Sequence, residues 1–166
     1  MRSSRLSPRA ARKILSLPAL IRRVRRLQSQ GRRVVFTNGC FDLVHAGHVT
    51  VLERAKRYGD VLVVGVNSDR SVRALKGKGR PILNQQDRAL LLAALACVDY
   101  VTIFSERTPQ RVIERLRPNL LVKGADWGAG KIVGRDTVER YGGRVVRVPL
   151  LKGSSTSRII ERIRGS

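Results

Sequence analysis

Residues 33–66 carry the pattern that decides the fold and read RVVFTNGCFDLVHAGHVTVLERAKRYGDVLVVGV. The β-branched run Arg33–Thr37 predicts a short strand that leads into a polar, glycine-bearing loop. A helix is predicted over Ala46–Tyr58, where apolar residues recur at helical spacing before Gly59. The continuous apolar run Val61–Val66 then predicts a second strand. A fully apolar strand after a helix is typical of a parallel sheet that is covered on both faces.

The same alternation of helices and strands runs along the rest of the chain. Before the first strand, Ser16–Gln30 carries apolar residues at helical spacing. Further strands are predicted at Tyr100–Phe104, Leu120–Lys123 and Arg144–Val148. Further helices are predicted after Ser68, over Gln85–Cys97, near Pro109–Leu116 and Asp136–Tyr141, and from Ser155 to Arg164. These elements predict one α/β doubly wound domain with a five-stranded parallel sheet, and the expected strand order is 3-2-1-4-5.

The composition fits one domain and excludes several classes of protein. A chain of 166 residues with 42% hydrophobic residues can bury one full core without disulfide bonds. Two cysteines, Cys40 and Cys97, cannot form a disulfide framework and are expected to stay reduced, although a single bridge is left open. No apolar run approaches the ~20 residues that span a bilayer. The chain is therefore expected to be soluble and cytoplasmic, with no membrane partner.

Positive charge is concentrated at the amino terminus. The net charge is +22, and residues 1–33 hold eleven of the 34 Lys and Arg residues and no acid. A transit peptide, an arginine-rich codon usage and a nucleic-acid-binding patch are three explanations of this pattern. Aromatic residues make up only 4%, and no zinc-finger or RNA-binding signature is present, so nucleic acid is not the expected partner. We expect a flexible basic tail over residues 1–12 and the folded domain over residues 13–166.

Both histidines of the chain lie in the segment HAGH, where the first predicted strand turns into a helix. His45 and His48 are three residues apart and therefore share one face of the first helical turn. Free backbone amides and the helix dipole favour an anion there, and two imidazoles can donate hydrogen bonds to phosphate oxygens. Gly47 lets a flat group such as a nucleobase approach the backbone. The alternatives are structural histidines or half of a metal site, but metal sites usually need three or four ligands, so no protein metal site is expected.

Three more segments have the chemistry of a phosphate site. The loop Lys76–Pro81, KGKGRP, is either a mobile basic segment that closes over phosphates or a solvated loop. Lys123 ends a predicted strand and so points from the carboxyl edge of the sheet, where open α/β folds bind ligands. Gly153–Ile160, GSSTSRII, places hydroxyls at a helix start, which suits distal phosphates or simply caps the helix. Asp69 could merely cap the following helix, and Arg88 could equally be a surface arginine.

Five blocks in this order resemble the HxGH nucleotidyltransferase superfamily, which is cytidylyltransferase-like: TNGCFDLVHAGHV, VNSDRSVRALKGKGRPI, DRALLLAAL, VKGADW and GSSTSRII. The superfamily includes glycerol-phosphate cytidylyltransferases and pantetheine-phosphate adenylyltransferases. The strongest resemblance, from about Lys13 to Ile163, is to the adenylyltransferase domains that make ADP-heptose from heptose 1-phosphate. It implies a Rossmann-like fold and transfer of AMP from ATP to heptose 1-phosphate by in-line attack on the α-phosphate, for lipopolysaccharide core precursors. A cytidylyltransferase or adenylyltransferase with another acceptor, such as glycerol 3-phosphate, is the alternative within this class.

The resemblance also implies roles for individual residues. Catalytic roles fall on three residues, His45, His48 and Lys76. The nucleotide is expected to contact Thr37, Asn38, Gly39, Phe41, Gly47, Lys123, Gly124, Ser155, Thr156 and Ser157. The acceptor is expected to contact Asp42, Arg88, Asp126 and Trp127. Members of the family often have Lys or Asn where Ser157 or Arg158 stands, so the phosphate contact in that turn is left open.

The expected reaction uses ATP as a substrate together with Mg²⁺. The ion is expected to bind phosphates and water, because the sequence offers no carboxylate cluster. A covalent intermediate is not expected, since no base is evident beside Cys40. Members of this group often carry the domain fused to a sugar kinase, so a separate heptose kinase and a phosphatase are expected upstream. A homodimer is also expected.

Overall fold

A five-stranded parallel sheet forms the centre of the domain. The computed structural model describes residues 8–125, 132–151, 153 and 155–165. Within these residues the strands are β1 (Val34–Gly39), β2 (Val61–Asn67), β3 (Tyr100–Phe104), β4 (Leu120–Gly124) and β5 (Arg144–Val148). Their order is β3-β2-β1-β4-β5 with every pairing parallel, which confirms the predicted doubly wound fold.

Helices connect the strands and cover the sheet. In the described part of the chain they are α1 (Pro8–Ala11), α2 (Leu17–Ser29), α3 (Ala46–Lys56), α4 (Asp69–Lys76), α5 (Gln85–Ala94), α6 (Gln110–Leu116), α7 (Arg135–Arg140) and α8 (Thr156–Arg164). α5 ends at Ala94 rather than at the predicted Cys97, because Leu95 already has an extended ψ of 135°. β1 continues to Gly39, past its predicted end at Thr37. None of these described helices combines the length and the apolar character that crossing a bilayer requires.

Apolar side chains are buried on both sides of the sheet. Every residue of β2 is buried, and Val34, Val35 and Phe36 of β1 have no exposed surface. One apolar cluster includes Leu52 of α3 and Leu92 of α5, and a second lies against α2 and α6. Each large apolar side chain stabilises the fold by about 1.5–3 kcal/mol on burial. The core therefore fixes the strand ends from which the site is built.

The segment between α1 and α2 pairs with the outer edge of β3. The amide of Leu15 donates to the Val101 carbonyl, and the amide of Val101 donates to the Lys13 carbonyl, both at 2.9 Å. Ala10 of α1 is buried in the cluster that includes residues of α5. The chain thus packs onto the domain already within the segment expected to be a flexible tail. The first seven residues of that segment lie outside the described part of the chain.

Gly65 in the middle of β2 has no room for a side chain. A methyl group there would come within 2.8 Å of the Phe36 ring and 3.3 Å of the Asn38 Cβ atom. Because both neighbours are fixed in β1, we expect Gly65→Ala to lower the free energy of unfolding by about 1–3 kcal/mol. Urea unfolding measures the loss, with Gly165→Ala as a control because its nearest atom lies at 3.4 Å. Equal unfolding midpoints for Gly65→Ala and wild type would contradict this packing.

Candidate active site

The carboxyl ends of β1 and β4 lie side by side and form the edge on which the site is built. Lys123 of β4, only 6% exposed, donates from Nζ to Asn38 Oδ1 at 2.5 Å and to the Asn38 carbonyl at 3.3 Å. Thr37 is buried in β1, and Gly39 and Gly124 end the two strands. The strand order reverses at this point, which is where open α/β sheets bind ligands. The fold therefore places the end of β1 and Lys123 at the same edge of the sheet.

Phe41 holds the turn between β1 and α3 in an uncommon conformation. Its φ is 47°, in the left-handed region that residues other than glycine rarely adopt. Its buried ring meets the His48 ring edge-on, with the ring centroids 5.1 Å apart. Gly39 leaves space for this ring, because a Cβ atom at Gly39 would lie 3.2 Å from it. Such strain persists only where the surroundings enforce it, and here it places an aromatic wall against the second histidine.

His45 and His48 form a stacked pair at the amino terminus of α3. His45 precedes the helix with an extended backbone, and the two ring centroids are 3.9 Å apart at an interplanar angle of 25°. The Nδ1 atoms of both rings are buried without a hydrogen-bond partner in the described part of the chain. The first amides of a helix, here at Ala46 and Gly47, have no carbonyl partner within it. These groups together form the kind of polar pocket that binds a phosphate.

Burial keeps both histidines neutral. Burial lowers the pKa of His48 to about 4, with a further contribution from the neighbouring His45, and it lowers the pKa of His45 as well. Each ring therefore carries one N–H at neutral pH and can donate one hydrogen bond without a full charge. A bound phosphate would favour the protonated rings and raise both pKa values. The pair can thus gain positive charge when an anion binds.

The depressed pKa of His48 predicts a pH-dependent stability. The ring has a pKa of about 4 when folded and 6.5 when unperturbed, so the unfolded chain binds a proton between these values and the folded chain does not. Acidification from pH 6.5 to pH 4 should therefore destabilise the ligand-free protein by about 2–3 kcal/mol through this group, with no further loss below pH 4. Urea unfolding of wild type and His48→Asn at pH 7 and about pH 4.5 measures the difference. An equal loss in both proteins would show that His48 does not titrate in this way.

Lys76 ends α4 and begins the basic loop. This loop lies near residues 40–48, the segment between β1 and the start of α3 that we call the histidine turn. Its exposed side chain lies close enough to Cys40 to oppose the effect of burial, which raises the pKa of the Cys40 thiol. Gly77 and Gly79 follow with φ angles of 87° and 85°, which glycine adopts without strain. The structure therefore places the cation expected to act on phosphates beside the turn that carries the histidines. Cys40 and Cys97 are both free thiols, so the single bridge that the sequence left open does not form.

Asp42 lies inside the protein between the histidine turn and the basic loop. Its side chain is 1% exposed. Oδ1 accepts from the amides of Ile82 at 2.6 Å and Leu83 at 3.3 Å, and Oδ2 accepts from the Arg80 guanidinium. Because protein groups occupy both oxygens, the expected direct contact of Asp42 with the acceptor does not fit this geometry.

Arg88 at the start of α5 is enclosed, so its interpretation as a surface arginine is wrong. Its side chain has no exposed surface and donates to the Cys40 carbonyl at 2.5 Å, the Leu83 carbonyl at 3.0 Å and Asp69 Oδ1 at 2.8 Å. Direct contact with an acceptor does not fit this burial. Asp69 is not the cap of α4 either, because Ser68 takes that position.

The contacts of Asp42 and Arg88 are the site features that sequence reasoning missed. The Asp42–Arg80 and Arg88–Cys40 pairs are 38 and 48 residues apart in the chain. No local sequence pattern relates residues this far apart in the chain. Taken alone, Asp and Arg are residue types that commonly bind a charged ligand. The one available signal was the acid in NSD, which precedes Arg88 by 19 residues and forms its ion pair.

The amino end of α8, with Ser155, Thr156 and Ser157, lies next to the histidine turn. Ser155 is the N-cap, and its Oγ accepts from the Arg158 amide at 3.2 Å, which confirms the capping interpretation for this residue. Thr156 Oγ1 donates to the Leu43 carbonyl at 3.4 Å and so ties the helix start to the residues before HAGH. Ser157 is exposed at the same helix start. The amino end of α8 therefore lies beside the two histidines.

Two predictions remain, the contacts of Asp126 and Trp127 with the acceptor and the binding of Mg²⁺. Asp126 and Trp127 lie outside the described residues, and their expected contacts stay predictions. Within the described ranges, no group of three or more His, Cys, Asp and Glu side chains could hold a metal ion. The Asp42 oxygens, the carboxylate closest in sequence to the histidines, already accept hydrogen bonds from the protein.

Comparison with known proteins gives consistent results. The family model described as "Cytidylyltransferase-like" matches residues 36–162. The chain is 54% identical over 157 residues to the bifunctional protein HldE of Geotalea uraniireducens, a match that covers 95% of this chain and 32% of that protein. It is 57% identical over 134 residues to HldE of Syntrophotalea carbinolica, covering 81% of this chain and 27% of that protein. The chain thus spans about a third of the length of these curated relatives.

A solved structure resembles the fold over most of the chain. The crystal structure of the lipopolysaccharide core biosynthesis protein from Thermoplasma volcanium superimposes with a TM-score of 0.61 and 28% sequence identity. The match covers 75% of this chain and 100% of that one. The two proteins therefore share their fold over the matched part of the chain.

Proposed function

Because the chain belongs to the cytidylyltransferase-like family of nucleotidyltransferases, we propose that it transfers AMP from ATP to a heptose 1-phosphate, giving ADP-heptose and pyrophosphate. The observation that carries the proposal is the stacked pair His45 and His48 at the amino terminus of α3, whose Nδ1 atoms are buried without a hydrogen-bond partner among the described residues. The resemblance to ADP-heptose-forming domains and the identity to HldE proteins support ATP and the heptose acceptor. The similarity to a lipopolysaccharide core biosynthesis protein supports a role in making core precursors.

The proposed reaction is a direct in-line displacement at phosphorus. An ionised oxygen of heptose 1-phosphate forms a bond to the α-phosphorus of ATP, and the bond from this phosphorus to the oxygen shared with the β-phosphate breaks as pyrophosphate leaves. The attacking oxygen carries no proton to be removed at neutral pH, so a general base is unnecessary. The protein's task is then to align the two substrates and to neutralise the charge that develops.

Three side chains, two histidines that donate hydrogen bonds and one positively charged lysine, would act on the reacting phosphates. His45 and His48 would donate their N–H groups to phosphate oxygens, together with the first amides of α3. Lys76 would balance charge on the α-phosphate and the leaving group. The remaining contacts to the nucleotide and acceptor are proposed for Thr37, Asn38, Gly39, Phe41, Gly47, Lys123, Gly124, Ser155, Thr156, Ser157, Asp126 and Trp127.

The cellular setting is proposed on the same basis. The reaction would take place in the cytoplasm with Mg²⁺ bound to ATP, and a heptose kinase and a phosphatase would supply the acceptor. A homodimer is the proposed oligomeric state. Each of these follows from the resemblance to ADP-heptose-forming domains.

A substrate panel tests the proposed function. We expect pyrophosphate release with ATP and heptose 1-phosphate to exceed release with CTP, or with glycerol 3-phosphate as acceptor, by about 10²-fold in kcat/KM, because a site that hydrogen-bonds a substrate rejects analogues strongly. Coupled detection of pyrophosphate measures all four combinations. Faster release with CTP and glycerol 3-phosphate would establish the rival activity instead, and no release with ATP and heptose 1-phosphate would refute the proposal.

A further inference from the structure

The basic loop that follows Lys76 is anchored to the histidine turn by a single carboxylate. Asp42 receives three donors from the far end of the loop, the Arg80 guanidinium and the amides of Ile82 and Leu83. Between these anchors, Gly77 and Gly79 would meet nothing within 4 Å if they carried a Cβ atom. Both glycines therefore lie in open space between α4 and the contacts with Asp42.

A second anchor ties the same elements together through Arg88. One guanidinium donates to the Cys40 carbonyl, which lies two residues before Asp42, and to the Leu83 carbonyl, which ends the loop. Its third contact is Asp69, the first residue of the helix that ends with Lys76. The turn, the loop and α4 therefore form one connected frame around the exposed Lys76.

Stability alone does not account for two ion pairs at this place. Burying a charged pair costs desolvation free energy, and apolar packing of similar volume is often as stable or more stable. The Arg80–Asp42 pair has side chains 20% and 1% exposed, and the Arg88–Asp69 pair includes a fully buried guanidinium. Both pairs lie between the histidine turn and the loop that carries Lys76. Together they tie the turn before the histidines to the end of the basic loop and to the start of the helix that ends with Lys76.

We propose that Asp42 is a positioning residue, which holds the basic loop against the histidine turn so that Lys76 reaches the phosphates bound at His45 and His48. Asp42 itself touches no substrate, and its effect passes through the loop. Arg88 stabilises the same arrangement through its hydrogen bonds to Cys40, Leu83 and Asp69. This assignment rests on the proposed function, and it replaces the acceptor contact that the sequence suggested for Asp42.

A double-mutant cycle between Asp42 and Lys76 tests the assignment. Asp42→Asn keeps the shape and loses the charge, and it should lower kcat for ADP-heptose formation by about 10-fold to 100-fold, as a shift of ~1 Å in a positioned group can. In the Lys76→Gln background the same change should cost about threefold or less, because the group that Asp42 positions is already gone. The KM for ATP should change little. The matched control is Asp60→Asn, because Asp60 is an exposed carboxylate that also accepts from a backbone amide, that of Arg33 at 2.7 Å. This control should leave kcat unchanged.

Tryptic cleavage after Lys78 gives a readout that does not depend on activity. Release of the loop in Asp42→Asn should speed this cleavage by about tenfold, whereas Asp60→Asn should not change it. If Asp42→Asn fails to fold, Arg80→Gln takes its place, because it removes the side-chain contact and leaves both amide contacts to Asp42. Arg80→Gln should show the same non-additivity with Lys76→Gln.

The outcomes separate this assignment from the proposed function. Normal wild-type turnover with equal losses from Asp42→Asn in both backgrounds, or an unchanged cleavage rate, would overturn the positioning role alone. A wild-type chain that makes no ADP-heptose would overturn the proposed function and this assignment together. Non-additive losses with faster cleavage would support the assignment.

Discussion

Replacement of His48 with alanine is expected to lower kcat by about 10³-fold and to leave the fold intact. The ring lies between Phe41 and His45, and its Nδ1 is buried without a partner in the described part of the chain. If its N–H stabilises charge on the transferred phosphate, its loss removes a donor aimed at the transition state, and one such donor is worth about 10²–10³ in rate. Steady-state assay of pyrophosphate release measures the loss.

The fold of this variant needs an independent check. At neutral pH the His48 ring is neutral and forms no charged pair, so its removal should cost the packing against Phe41 and His45 and the hydrogen bond to the Leu43 backbone. Circular dichroism and thermal unfolding should therefore stay close to wild type. Thr50→Ala, two residues later on α3, removes a hydrogen bond to the Ala46 carbonyl and should retain turnover. A His48→Ala protein with wild-type kcat would show that the histidines are structural.

Lys76→Gln is the substitution with the second largest expected effect, a loss of about 10²-fold in kcat. The lysine is exposed at the end of α4, and its charge acts on Cys40 in the turn that precedes HAGH. An exposed cation at this point can meet a phosphate without first breaking an internal ion pair. The KM for heptose 1-phosphate should change less than kcat if Lys76 acts on charge that develops during transfer.

Arg73→Gln is the matched control for Lys76. Both side chains are exposed cations in the last turn of α4, so both substitutions remove one positive charge from the same short helix. If Lys76 acts by position, Arg73→Gln should keep kcat within about twofold of wild type, since exposed charges interact weakly over a distance in salt. Equal losses in the two variants would show that only the general positive field matters.

The sequence predicted the sheet because its signals are local. An uninterrupted run such as Val61–Val66 can be satisfied only between two covered faces, and the observed β2 is buried throughout. The histidine segment could be placed as well, because the predicted strand Arg33–Thr37 and the predicted helix Ala46–Tyr58 put HAGH at the turn from strand to helix. The end of α5 was misplaced, because the extended conformation of Leu95 follows from tertiary packing rather than from helix propensity.

The contacts of charged side chains could not be predicted in the same way. Whether Arg88 faces solvent, substrate or the Cys40 carbonyl depends on elements that meet only after folding. The four residues of α1 were also hidden, since a single helical turn leaves little periodicity, and only the burial of Ala10 shows that it packs on the domain. Contacts with residues distant in the sequence therefore determine features that the residue types alone do not, such as the burial of Arg88 and the packing of α1.

The structure also clarifies the net charge of +22. Arg80 and Arg88, two cations near the crevice, are paired internally with Asp42 and Asp69. The arginines of α2 lie on its exposed face, while Leu20, Ile21 and Val24 of the same helix are buried. Four of the eleven amino-terminal cations therefore lie on the polar face of a helix that covers the sheet, as the spacing of its apolar residues predicts.

Transfer of AMP onto a sugar phosphate is tested with two samples of ATP, one labelled at the α-phosphate and one at the γ-phosphate. With α-³²P and γ-³²P in separate reactions containing heptose 1-phosphate and Mg²⁺, the α label should appear in ADP-heptose. The γ label should appear in pyrophosphate, in equal amount. Transfer of the γ label to the sugar with release of ADP, or retention of both labels in ATP, would contradict the claim.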